Sequence, residues 1–377
     1  MARSYLDHAS TSPVRPEAVA AYTAMLGGVV ADPGRVHTEG RAARVALEEA
    51  RESVAALVGA RPREVVFTSG ATEAINAVCF GTAERHAGAF VCSAIEHSAV
   101  REASARHRNT IGIAVDAAGR MDPAWITAAL DRAGSNAVAM VHCQWGNHEV
   151  GTLQPVLEVV ELCRARGVLV HVDAACAVGQ VPVSFAELGA DFMSFSGHKF
   201  GAPAGTGGLL IRRGLRVDPF IVGGEQERAR RGGLENVAGF VALGAVAAAL
   251  TPDVLAQEQV ASRAHTERLL EGALVVDGVV AYGDPEERLP HIVCIGVEGV
   301  EAEAVLLGLD QAGVAAHSGS ACSSESLEPS PVLRAMGLDA ERSLRLSTGW
   351  STTDADVDRF VDVFPGVVSR LRALGTT

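Results

Sequence analysis

The segment 194-SFSGHKFGAPAGTGG-208 contains Lys199, the only lysine among the 32 basic residues of this 377-residue chain. Solubility and ion pairing do not require a lysine, because an arginine guanidinium serves both at least as well. A lysine amine, unlike a guanidinium, can lose its proton near neutral pH and attack a carbonyl to form a Schiff base. One lysine could also survive by chance in an arginine-rich composition. Lys199 therefore indicates carbonyl chemistry only if other residues nearby support it.

Two further segments place polar groups where such chemistry would need them. In 168-VLVHVDAACAVGQVP-182, an apolar run leads to Asp173 at the carboxyl end of a predicted strand, where open α/β sheets bind their ligands. A carboxylate there could hold a protonated ring nitrogen or could simply cap a helix. In 65-VVFTSGATEAINAV-78, a small-residue turn precedes a helix that is predicted to begin near Ala71. The helix amides and the Thr72 hydroxyl would face a bound anion, although ordinary helix capping explains them too.

Three polar residues follow the next predicted strand, 192-FMSF-195, and would share the same sheet edge; they are Ser196, His198 and Lys199. An anion cradle, a carboxylate and a lone lysine on one edge match the three anchoring points of pyridoxal 5'-phosphate. The phosphate would be bound, the pyridine nitrogen paired and the aldehyde captured by the amine. Jointly the three segments predict a pyridoxal phosphate site.

The elements that must position these residues follow from the hydrophobic pattern. Between about residues 60 and 212, short apolar runs alternate with helical patterns, which predicts a mostly parallel sheet covered by helices, an α/β fold. After 251-TPD-253 the pattern changes to a long amphipathic helix (254–274), short strands and a final helix after residue 352. We therefore predict a large cofactor-binding domain over 13–252 and a smaller α+β domain over 253–377, with residues 1–12 packed on the latter.

Composition excludes several classes of function. The formal net charge of −13 argues against direct binding of nucleic acid or of an anionic membrane, since both need a basic surface. The N-terminus lacks an apolar signal region and 237-VAGFVALGAVAAAL-250 is too short to span a bilayer, which predicts a cytoplasmic protein. Seven cysteines without metal-ligand spacing predict neither a disulfide framework nor a metal site. Cys322 differs from the others because it lies in a polar small-residue segment, 317-HSGSACSSESLEPS-330.

With these motifs in view, the chain resembles a cysteine desulfurase of the class V aminotransferase group, and the resemblance covers nearly its whole length. The matching segments are 6-LDHASTSPV-14, 66-VFTSGATEAIN-76, 96-EHSAV-100, 147-NHEVGTLQP-155, 171-HVDA-174, 194-SFSGHKFGAPAGTGGL-209, 223-GGEQERARRGGLEN-236, 318-SGSACSSESLEPSPVLRAMG-337 and 345-RLSTG-349. The resemblance implies a homodimeric fold-type I pyridoxal phosphate enzyme. It would remove sulfur from L-cysteine, release L-alanine and pass a persulfide to an acceptor protein.

The resemblance also assigns roles to residues of this chain. Lys199 would form the Schiff base, Asp173 would pair with the pyridine nitrogen, and His97 would stack on the ring and help to move protons. Arg345 would hold the substrate carboxylate as a two-pronged donor. Cys322 would be the nucleophile, on a loop that resembles the long loop of one subgroup and allows the thiol to approach and leave the ring. The remaining cofactor contacts would come from Ala71, Thr72, His148, Cys176, Ser196 and His198, with His148 also beside the substrate.

Three positions depart from the family pattern. Family members usually carry Asn at the position of His148 and Gln at that of Cys176, both beside the ring hydroxyl. They usually carry Thr at the position of Leu234, where it reaches the phosphate across the dimer. The departures would affect the electronic properties of the cofactor and the strength of its binding, and they suggest a specialised branch of the family.

Alternatives remain open at the level of sequence. The pathway could be iron–sulfur cluster assembly, tRNA thiolation, DNA phosphorothioation or sulfur delivery to a biosynthetic cluster. The chain could instead be a selenocysteine lyase, another class V aminotransferase or a non-catalytic binding homologue.

Overall fold

The computed structural model describes residues 3–28, 31–134, 137–318 and 329–375. Its strands are β1 (Ser4–Tyr5), β2 (Val65–Thr68), β3 (Ala89–Ser93), β4 (Thr110–Ile113), β5 (Val138–Gln144), β6 (Leu169–Asp173), β7 (Phe192–Ser196), β8 (Gly207–Ile211), β9 (Val279–Tyr282), β10 (Ile292–Val297), β11 (Val314–Ala315) and β12 (Ser343–Ser347). They form a seven-stranded sheet, a three-stranded sheet and one short two-stranded pair.

The helices surround these sheets. They are α1 (Pro16–Leu26), α2 (Thr38–Leu57), α3 (Ala71–Arg85), α4 (Ser98–His107), α5 (Pro123–Ala133), α6 (Val156–Arg166), α7 (Phe185–Leu188), α8 (Gln226–Ala229), α9 (Val237–Ala249), α10 (Pro252–Leu274), α11 (Ala302–Gln311), α12 (Pro331–Ala335) and α13 (Asp354–Gly375). A 3₁₀ turn, Gly197–Lys199, follows β7 directly. The alternation of strands with helices confirms the predicted α/β fold.

The seven-stranded sheet has the order β2-β8-β7-β6-β5-β3-β4. Six strands run in one direction, and β8 alone is antiparallel to both of its neighbours. The predicted mostly parallel sheet is therefore confirmed. Strand β4 was missed by the sequence analysis, because its short sequence TIGI lies at the sheet edge and is only partly buried. Parallel strands bring their carboxyl ends to one edge, which is where the polar residues predicted for the site lie.

Apolar side chains cover both faces of this sheet. One face carries the larger core, in which Phe67 stacks on Phe240 with ring centroids 4.3 Å apart. The other face packs against α3 and α4 through residues such as Ile75 and Phe90. Because the strands are buried on both faces, they read as continuous apolar runs rather than as alternating patterns.

A second, antiparallel sheet of order β12-β10-β9 packs against α10, α11 and α13 over its own apolar core. Leu6 belongs to that core, and β1 pairs in parallel with β11, so the N-terminal segment lies on this half of the molecule. The division of the chain into 13–252 and 253–377 with 1–12 stays a prediction.

In the described part of the chain, no single helix is long and apolar enough to cross a membrane. Helices α9 and α10 meet the length and composition criteria only as a pair, and that pair is bent by 81°.

Candidate active site

A cavity of about 250 Å³ opens at the carboxyl ends of β5, β6 and β7. Its walls are formed by Ala9, Ser10, Ala71, Thr72, Ile75, His97, Gln144, Gly146, His148, Asp173, Ala175, Cys176, Ser196, His198, Lys199 and Arg345. Every site residue predicted from the sequence lies in this wall except Cys322, which falls outside the described residues, and Leu234, which is 62% exposed elsewhere on the surface.

Lys199 is the last residue of the 3₁₀ turn that follows β7, so the strand end places it at the cavity. Its Nζ donates a hydrogen bond to the carbonyl oxygen of Ala9. Its own carbonyl oxygen accepts bonds from Ser12 Oγ and from Gln180 Nε2, both at 3.2 Å. The N-terminal segment therefore fixes the backbone of the lysine and also contacts its amine.

The turn between β2 and α3 forms a cradle for an anion. The backbone amide of Ala71 donates to Ser196 Oγ at 2.8 Å, which joins the first residue of α3 to the end of β7. A Cβ atom at Gly207 would lie 2.6 Å from the Cα of Gly70, so only glycine allows β8 to approach this turn. Thr72 follows at the same helix N-terminus, where the amides and the helix dipole favour negative charge.

Asp173 ends β6 and is 7% exposed. Its Oδ1 accepts hydrogen bonds from the amide of Ala175 at 3.0 Å and from Ser194 Oγ at 3.3 Å. Both bonds fall on the same oxygen, so Oδ2 remains able to accept a bond from a donor in the cavity. The two donors to Oδ1 thus fix the orientation of the carboxylate.

His97 and His148 form one wall of the cavity, with ring centroids 5.0 Å apart and planes 67° apart. His97 is the N-cap of α4, and its Nδ1 accepts the amide of Ala99 at 3.1 Å. In the neutral ring the proton is therefore on Nε2. His148 Nε2 lies 3.5 Å from Glu149 Oε1, so this ring has a carboxylate at its edge.

His198, the residue before Lys199, is half-buried beside the amine. Burial, with a smaller effect of the neighbouring Lys199 charge, lowers the pKa of His198 to about 4. The ring is therefore neutral at physiological pH, and it contributes hydrogen bonding rather than charge to an anion in the cavity.

Glu96 is a residue that the sequence analysis missed. It lies behind the cavity and is 1% exposed; burial first and the nearby Asp173 carboxylate second raise the pKa of Glu96 to about 8. Its Oε1 accepts the amide of Gln144 at 2.8 Å, while Oε2 is buried without a hydrogen-bond partner in the described residues. Its position next to His97 in 96-EHSAV-100 was the only sequence signal, because burial of its carboxyl depends on the packed sheet.

Arg345 reaches the cavity from β12 of the second sheet and is 1% exposed. Its Nη1 donates to the carbonyl oxygen of His148 at 2.8 Å. Its Nη2 donates to Asp7 Oδ1 at 2.9 Å and to Ser10 Oγ at 2.7 Å. No sequence pattern singled out Asp7 or Ser10, which lie 338 and 335 residues away along the chain.

The six described cysteines are all buried, and none of them forms a disulfide with another described residue. Burial raises the pKa values of Cys79, Cys92 and Cys163 to about 12, which leaves their thiols protonated and poorly nucleophilic. Cys176 is 7% exposed and is the cysteine in the cavity wall.

The residues present fit pyridoxal 5'-phosphate. Three groups face one cavity: the amine of Lys199, the Asp173 carboxylate held through one oxygen, and the N-terminus of α3. The turn before α3 needs glycine at position 207, because a Cβ there would collide with Gly70. The chemistry of the three groups matches an aldehyde, a basic ring nitrogen and a phosphate.

Comparisons with known proteins agree with this geometry. The family model described as aminotransferase class-V matches residues 4–360. A cysteine desulfurase from Gluconacetobacter diazotrophicus is 41% identical over 382 aligned positions, which cover 98% of this chain and 94% of that protein. The solved structure of a NifS-like protein superposes with a TM-score of 0.89 at 29% identity, covering 98% of this chain and all of the other. A structure of SspA in complex with cysteine gives a TM-score of 0.79 at 26% identity, covering 91% and 98% of the two chains.

Proposed function

The chain belongs to the aminotransferase class-V family, and from this premise we propose that it is a pyridoxal phosphate-dependent cysteine desulfurase. It converts L-cysteine to L-alanine and keeps the sulfur as a persulfide for an acceptor. The observation that carries the proposal is that the only lysine of the chain shares one cavity with Asp173 and with the Ala71 turn. Near-complete coverage of cysteine desulfurase relatives supports the same activity.

When bound, pyridoxal phosphate supplies an aldehyde that an amine can capture and a ring that withdraws electrons from the substrate Cα. Lys199 would hold that aldehyde through its amine, and the same amine could take a proton from the substrate. Asp173 would pair with the ring nitrogen. The hydroxyls of Thr72 and Ser196 would bind the phosphate at the Ala71 turn, where the helix N-terminus offers favourable partial charge and the amide of Ala71 orients Ser196 Oγ.

The other wall residues orient the substrate. His97 presents an Nε2–H donor and a ring face to the cavity and moves protons at the substrate. Arg345 holds the substrate carboxylate, with its guanidinium already aligned by Asp7 and by the carbonyl oxygen of His148. His198 would add a neutral ring to the phosphate side, and His148 and Cys176, which also line the cavity, would stand beside the ring hydroxyl.

Cys322 carries out the sulfur step in this proposal. Its thiolate attacks the substrate sulfur, an S–S bond forms and the C–S bond breaks, and the electron pair stays with the substrate carbon, which takes a proton to become the methyl group of alanine. The support is chemical: the segment 317–330 has a thiol among small polar residues, whereas the described cysteines are buried.

Partners and location are part of the proposal. We propose a homodimer, supported by exposed apolar side chains at Phe220, Val222 and Leu234 around the 223–236 segment. A protein acceptor would take the persulfide in the cytoplasm.

The decisive experiment incubates the purified protein with L-cysteine and measures alanine and transferable sulfur. We expect equal amounts of both with the parent protein and neither with Lys199→Ala. Alanine formed only from L-selenocysteine, or no alanine from a protein that holds the cofactor, would contradict the proposal. Affinity capture with the persulfide-loaded protein would then identify the acceptor.

A further inference from the structure

A line of buried polar side chains lies directly behind Asp173, on adjacent strands β5, β6 and β7. His142 Nδ1 is 2.9 Å from His171 Nδ1, and His171 Nε2 is 3.1 Å from Ser194 Oγ. Ser194 Oγ donates to Asp173 Oδ1 at 3.3 Å. The strand register produces this line, because His142 is paired with His171 and Asp173 with Ser194. We call His142, His171 and Ser194 the histidine chain.

The histidine chain is fully enclosed, since all three side chains are 0% exposed. Burial lowers the pKa of His142 to about 3 and that of His171 well below its usual range, so both rings are neutral and carry one N–H each. At the far end, Cys79 Sγ lies 3.7 Å from His142 Nε2. Burial raises the pKa of that thiol to about 12, so it keeps its proton and can donate it.

The direction of every bond follows from the carboxylate. Asp173 Oδ1 accepts from Ser194, which uses the only hydrogen of that hydroxyl. Ser194 must therefore accept from His171 Nε2–H, and His171 Nδ1 is left as an acceptor. His142 must then donate through Nδ1–H, and its Nε2 accepts the thiol hydrogen of Cys79.

All four hydrogen bonds consequently point the same way, from the thiol towards Asp173. Bonds aligned in this manner polarise one another in a low-dielectric interior, so that each strengthens the next. Apolar residues would fill the same space without the desolvation that buried polar groups require. The arrangement is fully satisfied, and its negative end is the one carboxylate that faces the cavity from β6.

We propose that the histidine chain is a positioning device for Asp173, which fixes the orientation of the carboxylate and aims its Oδ2 at the ring nitrogen of the cofactor. The inference rests on the proposed function, in which Asp173 pairs with that nitrogen. It adds residues outside the cavity, on the three adjacent strands β5, β6 and β7, to those that determine the affinity and the electronic state of the cofactor.

The first test is the tautomer of each ring in the full-length protein as purified, from the ¹⁵N chemical shifts of labelled histidine. We expect His171 protonated on Nε2 and His142 protonated on Nδ1, with the two signals assigned by their loss in His171→Asn and His142→Asn. The opposite tautomers, or a charged ring, would overturn the proposal. The ¹⁵N shifts can be measured without cofactor. If the purified protein held no cofactor, the proposed function would be refuted, whereas the tautomers of His142 and His171 could still be assigned.

The second test uses substitutions along the histidine chain, with the dissociation constant and absorption spectrum of pyridoxal phosphate as readouts. Ser194→Ala removes the donor to Asp173 and should weaken cofactor binding about tenfold and shift the spectrum. His142→Leu should weaken binding about threefold or more, because it leaves His171 Nδ1 without a donor. His142→Asn can donate in place of the ring and should restore most of that loss.

Two buried positions provide matched controls. Cys143→Ala alters the residue next to His142 on β5, whose side chain packs in the core on the other sheet face. Ser343→Ala removes a buried hydroxyl that has no hydrogen-bond partner in the described residues. Both should bind the cofactor as the parent does. Parent-like affinity and spectrum in Ser194→Ala, or equal weakening by His142→Leu and His142→Asn, would overturn the proposal.

Discussion

Arg345 donates from Nη2 to Asp7 Oδ1 at 2.9 Å, which joins β12 of the second sheet to the N-terminal segment at the rim of the cavity. The same guanidinium donates from Nη1 to the carbonyl oxygen of His148, in the loop after β5. One buried side chain thereby connects three parts of the protein that are remote in sequence. In the proposed function, the substrate side of the cavity would depend on this junction, while the cofactor side would depend on the edge of the seven-stranded sheet.

Arg345→Lys should raise the KM for L-cysteine roughly 10- to 100-fold with a smaller change in kcat. A lysine ammonium has only three hydrogens, so it cannot form the three bonds to His148, Asp7 and Ser10 and still donate to a carboxylate. Each lost charge-assisted bond is worth about one to two factors of ten. Steady-state alanine release against substrate concentration measures the effect.

Arg342→Lys is the matched control for this prediction, because Arg342 lies just before β12 and pairs with Asp339 at the surface. Its KM should equal that of the parent. An unchanged KM in Arg345→Lys would show that the substrate carboxylate is bound by another group.

Lys199 should be the only residue that becomes covalently attached to pyridoxal phosphate, and the purified protein should be yellow. Borohydride reduction followed by peptide mapping should place the label on the peptide that contains 197-GHK-199. Lys199→Ala and Lys199→Arg should lose the linkage, since neither offers an amine that deprotonates near neutral pH. A label on any other peptide would remove Lys199 from this role.

Cys322→Ser should bind cofactor and L-cysteine and yet form no persulfide, because a hydroxyl cannot accept the substrate sulfur. Cys176→Ser should still form one, although Cys176 is the cysteine in the described cavity wall. Mass spectrometry of the protein after a single turnover distinguishes the two sites. Persulfide on Cys176 and not on Cys322 in the parent protein would reverse these assignments.

The raised pKa of Glu96 predicts that the free energy of unfolding depends on pH. Its pKa is about 8 in the folded protein and 4.5 in the unfolded chain, so unfolding releases a proton between these pH values. The contribution of this carboxyl to the free energy of unfolding is therefore fully present below about pH 4.5 and is lost as the pH rises through about 8. The limiting slope is about 1.4 kcal/mol per pH unit.

Glu96→Gln removes this titration while keeping an acceptor for the amide of Gln144. The parent should lose stability relative to Glu96→Gln as the pH rises from about 5 to about 8, measured by urea unfolding at several pH values. Glu102→Gln, on the exposed side of the neighbouring helix α4, should follow the parent curve. Parallel curves for the parent and Glu96→Gln would exclude a protonated Glu96.

Local sequence patterns were enough to predict most of the elements and the chemistry of the cofactor site. Periodicity is a local property, so the buried strands, the helix that starts at Ala71 and the strand that ends at Asp173 were predictable. The role of Lys199 was predictable too, because the ability to form a Schiff base is a property of the lysine side chain itself. Strand β4 and the reversed direction of β8 were not predictable, since strand pairing depends on partners far along the chain.

Only the tertiary structure decided the contacts that tune the site. Arg345 meets Asp7 across 338 residues, and no local pattern encodes that pair. The pKa of Glu96 is raised by burial, which exists only once the strands have packed. His142 and His171 read in sequence as single polar residues in apolar strands, and the parallel register of β5 and β6 is what brings their Nδ1 atoms to 2.9 Å. Residue type thus sets what each group can do, while packing sets its neighbours, its charge state and the direction of its hydrogen bonds.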